Sequence, residues 1–206
     1  ESTGLDVTQD DIIQIAAIRY GKRGVSASLD ILVKPTRPVG ASYLVHGFTD
    51  ELLREKGMAP KEALMQLLDF VRDTVIVGHN VNYDLQIIRS MLERYKLEVI
   101  KPLAVYDTLD LAYKVYPRLT NHKLETLAKM LKTKTQPNHN AMQDILATSE
   151  VLTHLIGQIA EKTQERLEKL EAFYSYMDEY KKKVCRLSSY ILQHPIAESI
   201  KYMMND

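Results

Sequence analysis

The sequence has a single cysteine, Cys185, and no net charge, with 27 basic and 27 acidic residues among 206. One cysteine excludes an internal disulfide framework and is typical of a reducing compartment, so we expect a cytoplasmic protein. With balanced charge there is no global field that attracts nucleic acid, so such contacts depend on local groups and metal ions. No apolar run approaches the ~20 residues of a membrane span and no signal peptide is visible, so we expect no membrane partner.

Length and composition favour one domain with an appendage over two full domains. A hydrophobic content of 45% suffices for a core. From about residue 157 the character changes, and residues 161–190 are dense in Glu, Lys, Leu and Tyr and contain no Gly or Pro. We expect residues 157–206 to form a helical extension. The apolar face of this extension must pack against another surface. We expect it to fold back on the first domain, to bridge to a following domain or to make a dimer contact.

Apolar β-branched runs that give way to amphipathic runs predict an α/β fold, a mixed sheet flanked by helices. Gly21 and Gly24 mark a hairpin turn between the first two strands, and Thr49 and Pro60 are helix-start signals. Strands are predicted at residues 11–20, 26–33, 74–78 and 105–107. Helices are predicted at residues 50–56, 60–72, 84–95, 108–116, 123–131, 139–156, 161–190 and 196–204.

Three separated segments combine carboxylates with an imidazole. The segment HNAMQD places His139 five residues before Asp144, the segment VGHNVNYD ends at Asp84, and the chain opens with ESTG, which begins at Glu1. Carboxylates hold divalent cations, and an imidazole takes a proton from water. Each acid alone would be a helix cap or a surface charge, but together they favour a two-metal site that cleaves phosphodiesters.

These segments resemble the three motifs of the DEDDh branch of the DnaQ-like 3′–5′ exonucleases. The family's first motif, Asp-x-Glu-Thr-Thr-Gly, is similar to residues 1–4 from its glutamate onward. Its second motif, a hydrophobic strand followed by Gly-His-Asn and an aspartate, is similar to residues 75–84, and its third, His-x-x-x-x-Asp, to residues 139–144. Further family-like stretches lie between them in order, at residues 45–52, 106–112 and 122–128. The pattern is closest to bacterial DNA polymerase III proofreading-type domains.

The chain departs from the family at its start. The family's first catalytic aspartate stands two residues before the glutamate that Glu1 resembles, and the first β-strand precedes that aspartate. We therefore expect residues 1–156 to be an N-terminally truncated exonuclease domain with its first strand missing, cut from a longer parent. We also expect Glu1 to be poorly ordered, because chain termini fray.

The resemblance implies a ribonuclease-H-like fold and a two-metal site for Mg²⁺ or Mn²⁺ formed by Glu1, Asp84 and Asp144, because hard cations prefer oxygen ligands. It implies that His139 is the general base, since an ordinary histidine pKa of ~6.5 suits proton removal near neutral pH. His79 falls in the second motif, and we expect it to hold loops together rather than to bind metal.

The resemblance also implies a pocket for the terminal nucleotide. Its lining residues would be Thr3, Gly4, Leu5, His46 and Tyr83. Leu5 would pack against a base, whereas Tyr83 is equally well explained as a base-stacking residue or as a core aromatic.

The implied activity is hydrolysis of DNA from its 3′ end to nucleoside 5′-monophosphates, in proofreading or repair, with a polymerase or helicase as partner in cis or in trans. An RNA-trimming relative is one alternative, because these metal ligands do not read the 2′-hydroxyl. A catalytically silent module that binds nucleic-acid ends or a polymerase is the other, and the missing aspartate favours it.

Overall fold

The computed structural model describes residues 1–22, 24–99 and 101–176, with side chains as far as residue 169. The chain divides into two compact units, Glu1–Leu155 and Ile156–Asp206. All the candidate site residues belong to the first unit. In the second unit, the described residues 156–176 are helical.

The first two strands form an antiparallel hairpin, as predicted. Strand β1 (Gln14–Gly21) pairs with β2 (Gly24–Leu32), and a bulge interrupts the register between Arg19 and Tyr20. Gly24 has a φ of 104°, a conformation that side-chain-bearing residues rarely adopt, so the turn depends on glycine. Ahead of β1, Ser2 forms an isolated antiparallel bridge with Ile12. The chain start therefore runs alongside the segment that leads into the hairpin.

The other two strands are parallel neighbours. Strand β3 (Val75–Gly78) pairs with β4 (Ala104–Asp107), and Gly78 lies opposite Asp107. Antiparallel and parallel pairing both occur, as expected for a mixed α/β protein. Among the described residues, the two strand pairs are not joined into one hydrogen-bonded sheet. Because β3 and β4 end side by side, the helices that follow them start close together.

Seven helices occur in the described residues. Thr49 caps the second of them, since its hydroxyl accepts a hydrogen bond from the Leu52 N–H at 3.1 Å, and Pro60 opens the third. The helices are α1 (Tyr43–His46), α2 (Asp50–Lys56), α3 (Pro60–Val71), α4 (Val81–Arg94), α5 (Thr108–Val115), α6 (Leu124–Leu131) and α7 (Ala141–Tyr176). A 3-10 turn at Gly40–Ser42 precedes α1.

Two buried clusters fix the helices that carry the candidate carboxylates. In one, α3 and α4 pack on the hairpin; its members are Ile12, Ile15, Ile31, Val33, Ala63, Leu64, Leu67, Ile87, Met91 and Leu92. In the other, α5, α6 and α7 pack together through Ala112, Val115, Leu127, Val151 and Leu155. The helix of Asp84 and the helix of Asp144 are therefore each held in place by a core rather than by intrinsic helix propensity.

Several predicted boundaries were wrong. Helix α4 begins at Val81, three residues before the predicted start. The predicted helices 139–156 and 161–190 are one helix as far as the structure describes it, because Gly157 lowers helix propensity by ~1 kcal/mol without breaking the helix. The short helix α1 was not predicted. The proposed helix 196–204 and the end of the proposed helix 161–190 lie outside the described residues.

A search of the described helices for a membrane span finds none that combines the necessary length and apolarity.

Candidate active site

The start of helix α4 is held by a carboxylate at the end of strand β4. Asp107, the last residue of β4, accepts hydrogen bonds from the backbone N–H groups of Asn80 (2.8 Å), Val81 (3.0 Å) and Leu109 (2.9 Å). Asn80 has a left-handed backbone (φ 60°), and its own side chain does not cap the helix. Asp107 therefore satisfies N–H groups at the starts of both α4 and α5, which helices leave without intrahelical partners.

Asp84 lies in the first turn of α4 and is exposed to solvent. Partial desolvation of its carboxyl by the surrounding protein raises the pKa of Asp84 above the ordinary aspartate value. The negative charges of Glu1 and Asp107 act in the same direction. The ammonium group of Glu1 opposes this rise. Since burial and nearby carboxylates both disfavour the charged form of Asp84, a cation that neutralises this charge would be bound favourably.

Glu1 is held through its backbone, contrary to the expectation of a frayed terminus. Its ammonium group donates to the carbonyl of Gln14 at 2.9 Å. Its carbonyl accepts from the N–H groups of Ile13 (2.9 Å) and Gln14 (3.3 Å). These bonds fix the chain start against the beginning of β1.

The turn after Glu1 is organised by Asp10. Thr3 Oγ1 donates to Asp10 Oδ1 at 2.9 Å, and the Asp6 N–H donates to Asp10 Oδ2 at 2.9 Å. A Cβ added to Gly4 would clash with the Asp10 carboxylate, which is held by Thr3 and Asp6, so the turn would have to shift. Leu5 follows and is 88% exposed, so an apolar side chain projects into solvent from a rigid turn.

Tyr83 links this turn to α4. Its hydroxyl donates to the carbonyl of Gly4 at 2.6 Å and lies 2.8 Å from Ser2 Oγ. Its ring is partly buried against the first core cluster. Burial raises the pKa of Tyr83, and Asp84 and Glu1 contribute to the rise. These contacts match the core-aromatic interpretation of Tyr83 more closely than the base-stacking one.

His46, at the end of α1, is a neutral imidazole. Its Nδ1 accepts the Phe48 N–H at 3.0 Å, so the proton resides on Nε2, which lies 3.0 Å from Ser42 Oγ. Burial lowers the pKa of His46, and the ammonium group of Glu1 lowers it further. His46 is therefore within electrostatic range of the chain start.

The third motif opens α7. Asn140 accepts the Gln143 N–H at 3.2 Å through its side chain, and Asp144 Oδ1 accepts the Asn138 N–H at 3.0 Å. Burial raises the pKa of Asp144, while hydrogen bonding from Asn138 and the charge of His139 oppose the rise. Ala141, in the first turn of the same helix, donates its N–H to Gln14, which also contacts Glu1, so the start of α7 lies beside the Glu1 segment.

His139 lies beside Asp144 but faces another acid. Its Nε2 is 3.8 Å from Glu125 Oε1 at the start of α6, and both side chains are about half exposed. Its backbone has a φ of 58°, a left-handed conformation that histidine adopts more readily than most residues other than glycine. His79, by contrast, has the loop-holding role that the sequence predicted: its Nδ1 lies 2.9 Å from Thr108 Oγ1, which donates to the Gly78 carbonyl.

Sequence reasoning missed two residues that hold the site together. One is Asp107. Its position directly before a helical run could have identified it as a helix cap. The other is Gln14, a polar residue that directly precedes the apolar run at residues 15–18 of β1. Gln14 Oε1 accepts the Ala141 N–H at the start of α7 at 3.2 Å, and Gln14 Nε2 donates to Asp30 at 2.9 Å. Through backbone and side chain, Gln14 contacts both the Glu1 segment and the helix of Asp144.

Solved structures with the same fold are exonucleases. Exonuclease I of E. coli, in complex with a dT13 oligonucleotide, superposes with a TM-score of 0.65 and 22% identity over 82% of this chain and 41% of that protein. Exonuclease X, in complex with 5′-overhanging duplex DNA, gives a TM-score of 0.57 and 20% identity over 76% of this chain and 87% of that protein. The fold is the ribonuclease-H-like α/β fold that the sequence predicted.

The chain belongs to the exonuclease family, whose model of the RNase T type matches residues 1–152. Its relatives include DNA polymerase III proteins of the PolC type. The protein from Caldanaerobacter subterraneus subsp. tengcongensis is 30% identical over 161 residues, and that from Latilactobacillus sakei subsp. sakei is 34% identical over 164 residues. Each match covers 78% of this chain but only 11% of the polymerase. The resemblance to DnaQ-like exonucleases is confirmed.

Divalent-metal dependence is general in this family. The donor chemistry fits, since Glu1 and Asp84 are oxygen donors and the charge of Glu1 acts to raise the pKa of Asp84. Within the described residues, no three His, Cys, Asp or Glu side chains stand close enough together to hold an ion. The fit therefore rests on the carboxylates and their charge, not on a completed set of ligands.

Proposed function

We propose that this chain is a 3′–5′ exonuclease that hydrolyses DNA from its 3′ end and releases nucleoside 5′-monophosphates. One observation carries the proposal: hydrogen bonds join the segments of the three carboxylates. Tyr83, next to Asp84, contacts Ser2, and Gln14 contacts both Glu1 and the Ala141 N–H at the start of the Asp144 helix. The Asp84 side chain remains open to solvent. Membership of the exonuclease family supports this interpretation.

Glu1, Asp84 and Asp144 would hold two Mg²⁺ or Mn²⁺ ions. When bound, such ions neutralise charge at the phosphate and lower the pKa of water. His139 accepts the proton of the attacking water at its imidazole. The Glu125 carboxylate, 3.8 Å from Nε2, stabilises the imidazolium that results.

The turn after Glu1 would receive the terminal nucleotide. Leu5, at 88% exposure, contacts the base, while the buried Thr3 supports the turn through its bonds to Asp10 and Asp11. His46 would form another part of this pocket, with its ring held in place by Ser42 and the Phe48 N–H. Tyr83 contributes by holding the Gly4 carbonyl in place.

The partner we propose is a DNA 3′ end, single-stranded or frayed. Exonuclease I and exonuclease X were solved with DNA, which supports this substrate. Because the matched relatives are polymerases and the chain spans 11% of their length, a polymerase in cis or in trans is the proposed setting, with a helicase as the other candidate. A cytoplasmic location accords with a replication role.

A labelled-strand assay tests the function. A 5′-labelled single-stranded DNA incubated with Mg²⁺ or Mn²⁺ should shorten progressively from its 3′ end, and EDTA should abolish the reaction. The chain should be assayed both with Glu1 first and with an Asp-Ala dipeptide placed before Glu1, where the family has its aspartate. Cleavage that survives chelation, or products that begin with internal cuts, would contradict the assignment. An RNA strand of the same sequence decides between DNA and RNA as the substrate.

One observation favours a second candidate, a module that binds DNA ends without cleaving them. It is the lack of a three-ligand group among the described residues. Anisotropy that reports tight binding of DNA 3′ ends, with no shortening by either form of the chain, would support this candidate.

A further inference from the structure

Asp107 makes more hydrogen bonds than capping a single helix requires. Its carboxylate accepts three backbone N–H groups at 2.8–3.0 Å, two from the start of α4 and one from α5. A conventional N-cap serves one helix, usually through one bond. Asp107 serves two, and its β4 backbone is also paired with β3.

The start of α4 depends on this carboxylate. Asn80 does not cap the helix with its own side chain, and its left-handed backbone turns the chain abruptly from β3 into α4. The N–H groups of Asn80 and Val81 both point to Asp107. Without it, the first turn of α4 loses the bonds that hold it against β4, and helix ends open first when such bonds are lost.

Asp84 and Tyr83 both lie in that first turn. Tyr83 holds the turn to the Gly4 carbonyl on one side, and Asp107 holds it to β4 on the other. The position of the Asp84 carboxylate relative to Glu1 therefore depends on two attachments, one of which is Asp107. Groups that orient metal ligands in this way commonly alter metal affinity about 10- to 100-fold when they are replaced.

We propose that Asp107 is a positioning residue for Asp84, which holds the start of α4 so that the carboxylates of Asp84 and Glu1 can share a divalent cation. This inference rests on the proposed function for its metal. It assigns Asp107 no contact with substrate or with the reacting atoms.

Asp107→Ser separates the capping of α5 from the attachment of α4, the two functions of this side chain. Serine is as good an N-cap as aspartate, so it retains the bond to Leu109 N–H, but it is too short to reach Asn80 and Val81. Leu67→Ala is the matched control, because it removes a buried side chain of α3 from the first core cluster and lowers stability without removing any hydrogen bond at the start of α4.

The first measurement needs neither metal nor activity. Amide hydrogen exchange, followed by NMR, should accelerate about tenfold or more at Asn80 and Val81 in Asp107→Ser and change little at Leu109. In Leu67→Ala, the exchange at Asn80 and Val81 should rise no more than that of neighbouring amides. Unchanged exchange at Val81 in Asp107→Ser would overturn the proposal, whatever the enzyme does.

The second measurement is a Mn²⁺ titration, read by electron paramagnetic resonance and by activity. Asp107→Ser should need about tenfold more Mn²⁺ for half-saturation, recover most of its kcat at saturating metal and keep the KM for DNA. Leu67→Ala should keep the metal requirement of the wild type. Equal Mn²⁺ affinity in Asp107→Ser and wild type would overturn the proposal, whereas a wild type that never cleaves DNA would instead count against the proposed function.

Discussion

Replacing Arg94 with methionine should lower the free energy of unfolding by about 3 kcal/mol. Arg94 Nη1 donates to Asp11 Oδ1 at 2.8 Å, and Nη2 donates to the Asp10 carbonyl at 2.6 Å. The Asp11 side chain is 1% exposed, so the variant keeps a buried carboxylate with only the two hydrogen bonds from Thr36. Breaking a buried pair costs about 3–5 kcal/mol, and the lower end applies because Arg94 is 33% exposed.

The loss should depend on pH in a defined direction. Burial acts to raise the pKa of Asp11, but hydrogen bonds from Thr36 and the Arg94 guanidinium outweigh it and leave the pKa below the ordinary value. A lowered folded-state pKa gives stability that is present above the unfolded pKa of about 3.9 and is lost as pH falls through the folded pKa. The difference between wild type and Arg94→Met should therefore be largest near neutral pH and shrink in acid.

Urea unfolding followed by circular dichroism, at neutral and at acid pH, measures this difference. Arg72→Met is the matched control, since Arg72 pairs with Asp69 at 3.1 Å on the surface, with side chains 59% and 78% exposed. That control should change stability by less than about 0.5 kcal/mol. A loss below about 1 kcal/mol for Arg94→Met at neutral pH, or a loss that grows in acid, would refute the reasoning.

Two further changes test the site. His139→Ala should lower turnover by about 10²- to 10⁴-fold and leave DNA affinity nearly intact, as single-turnover rates and anisotropy would show; near-normal rates across neutral pH would remove His139 from the mechanism. Gly4→Ala should raise KM with little change in kcat, because the new Cβ would clash with the Asp10 carboxylate and displace the turn beside Leu5. An unchanged KM would show that the turn does not contact the nucleotide.

The elements predicted from the sequence are those with local signals. Thr49 and Pro60 mark helix starts through their own chemistry, and Gly24 marks the hairpin turn. The start of α4 could not be found in this way. Its cap, Asp107, is 26 residues away from Val81 in the chain and acts only once β3 and β4 are paired.

In the candidate site, too, some residues are recognised from local sequence and others only from contacts formed in the fold. The motifs identified Asp84, His139 and Asp144, because residue type and spacing carry that information. The contacts of Tyr83 with Ser2 and Gly4, and of Gln14 with Ala141, join residues 79 to 127 positions apart. No periodicity in the sequence encodes such contacts. The structural roles of Tyr83 and Gln14 could therefore be recognised only from the folded structure.

The contact between Ser2 and Tyr83 joins the immediate chain neighbours of Glu1 and Asp84. The phenol of Tyr83 therefore senses the charge of both acids, each of which acts to raise its pKa in addition to burial. A cation bound between the acids would cancel that charge and make the phenol easier to ionise. Since the chain has no tryptophan, tyrosine dominates its near-ultraviolet absorbance. An alkaline titration of Tyr83, taken as the difference between the absorbance of the wild type and that of a Tyr83→Phe variant, would therefore respond to a cation bound near Glu1 and Asp84.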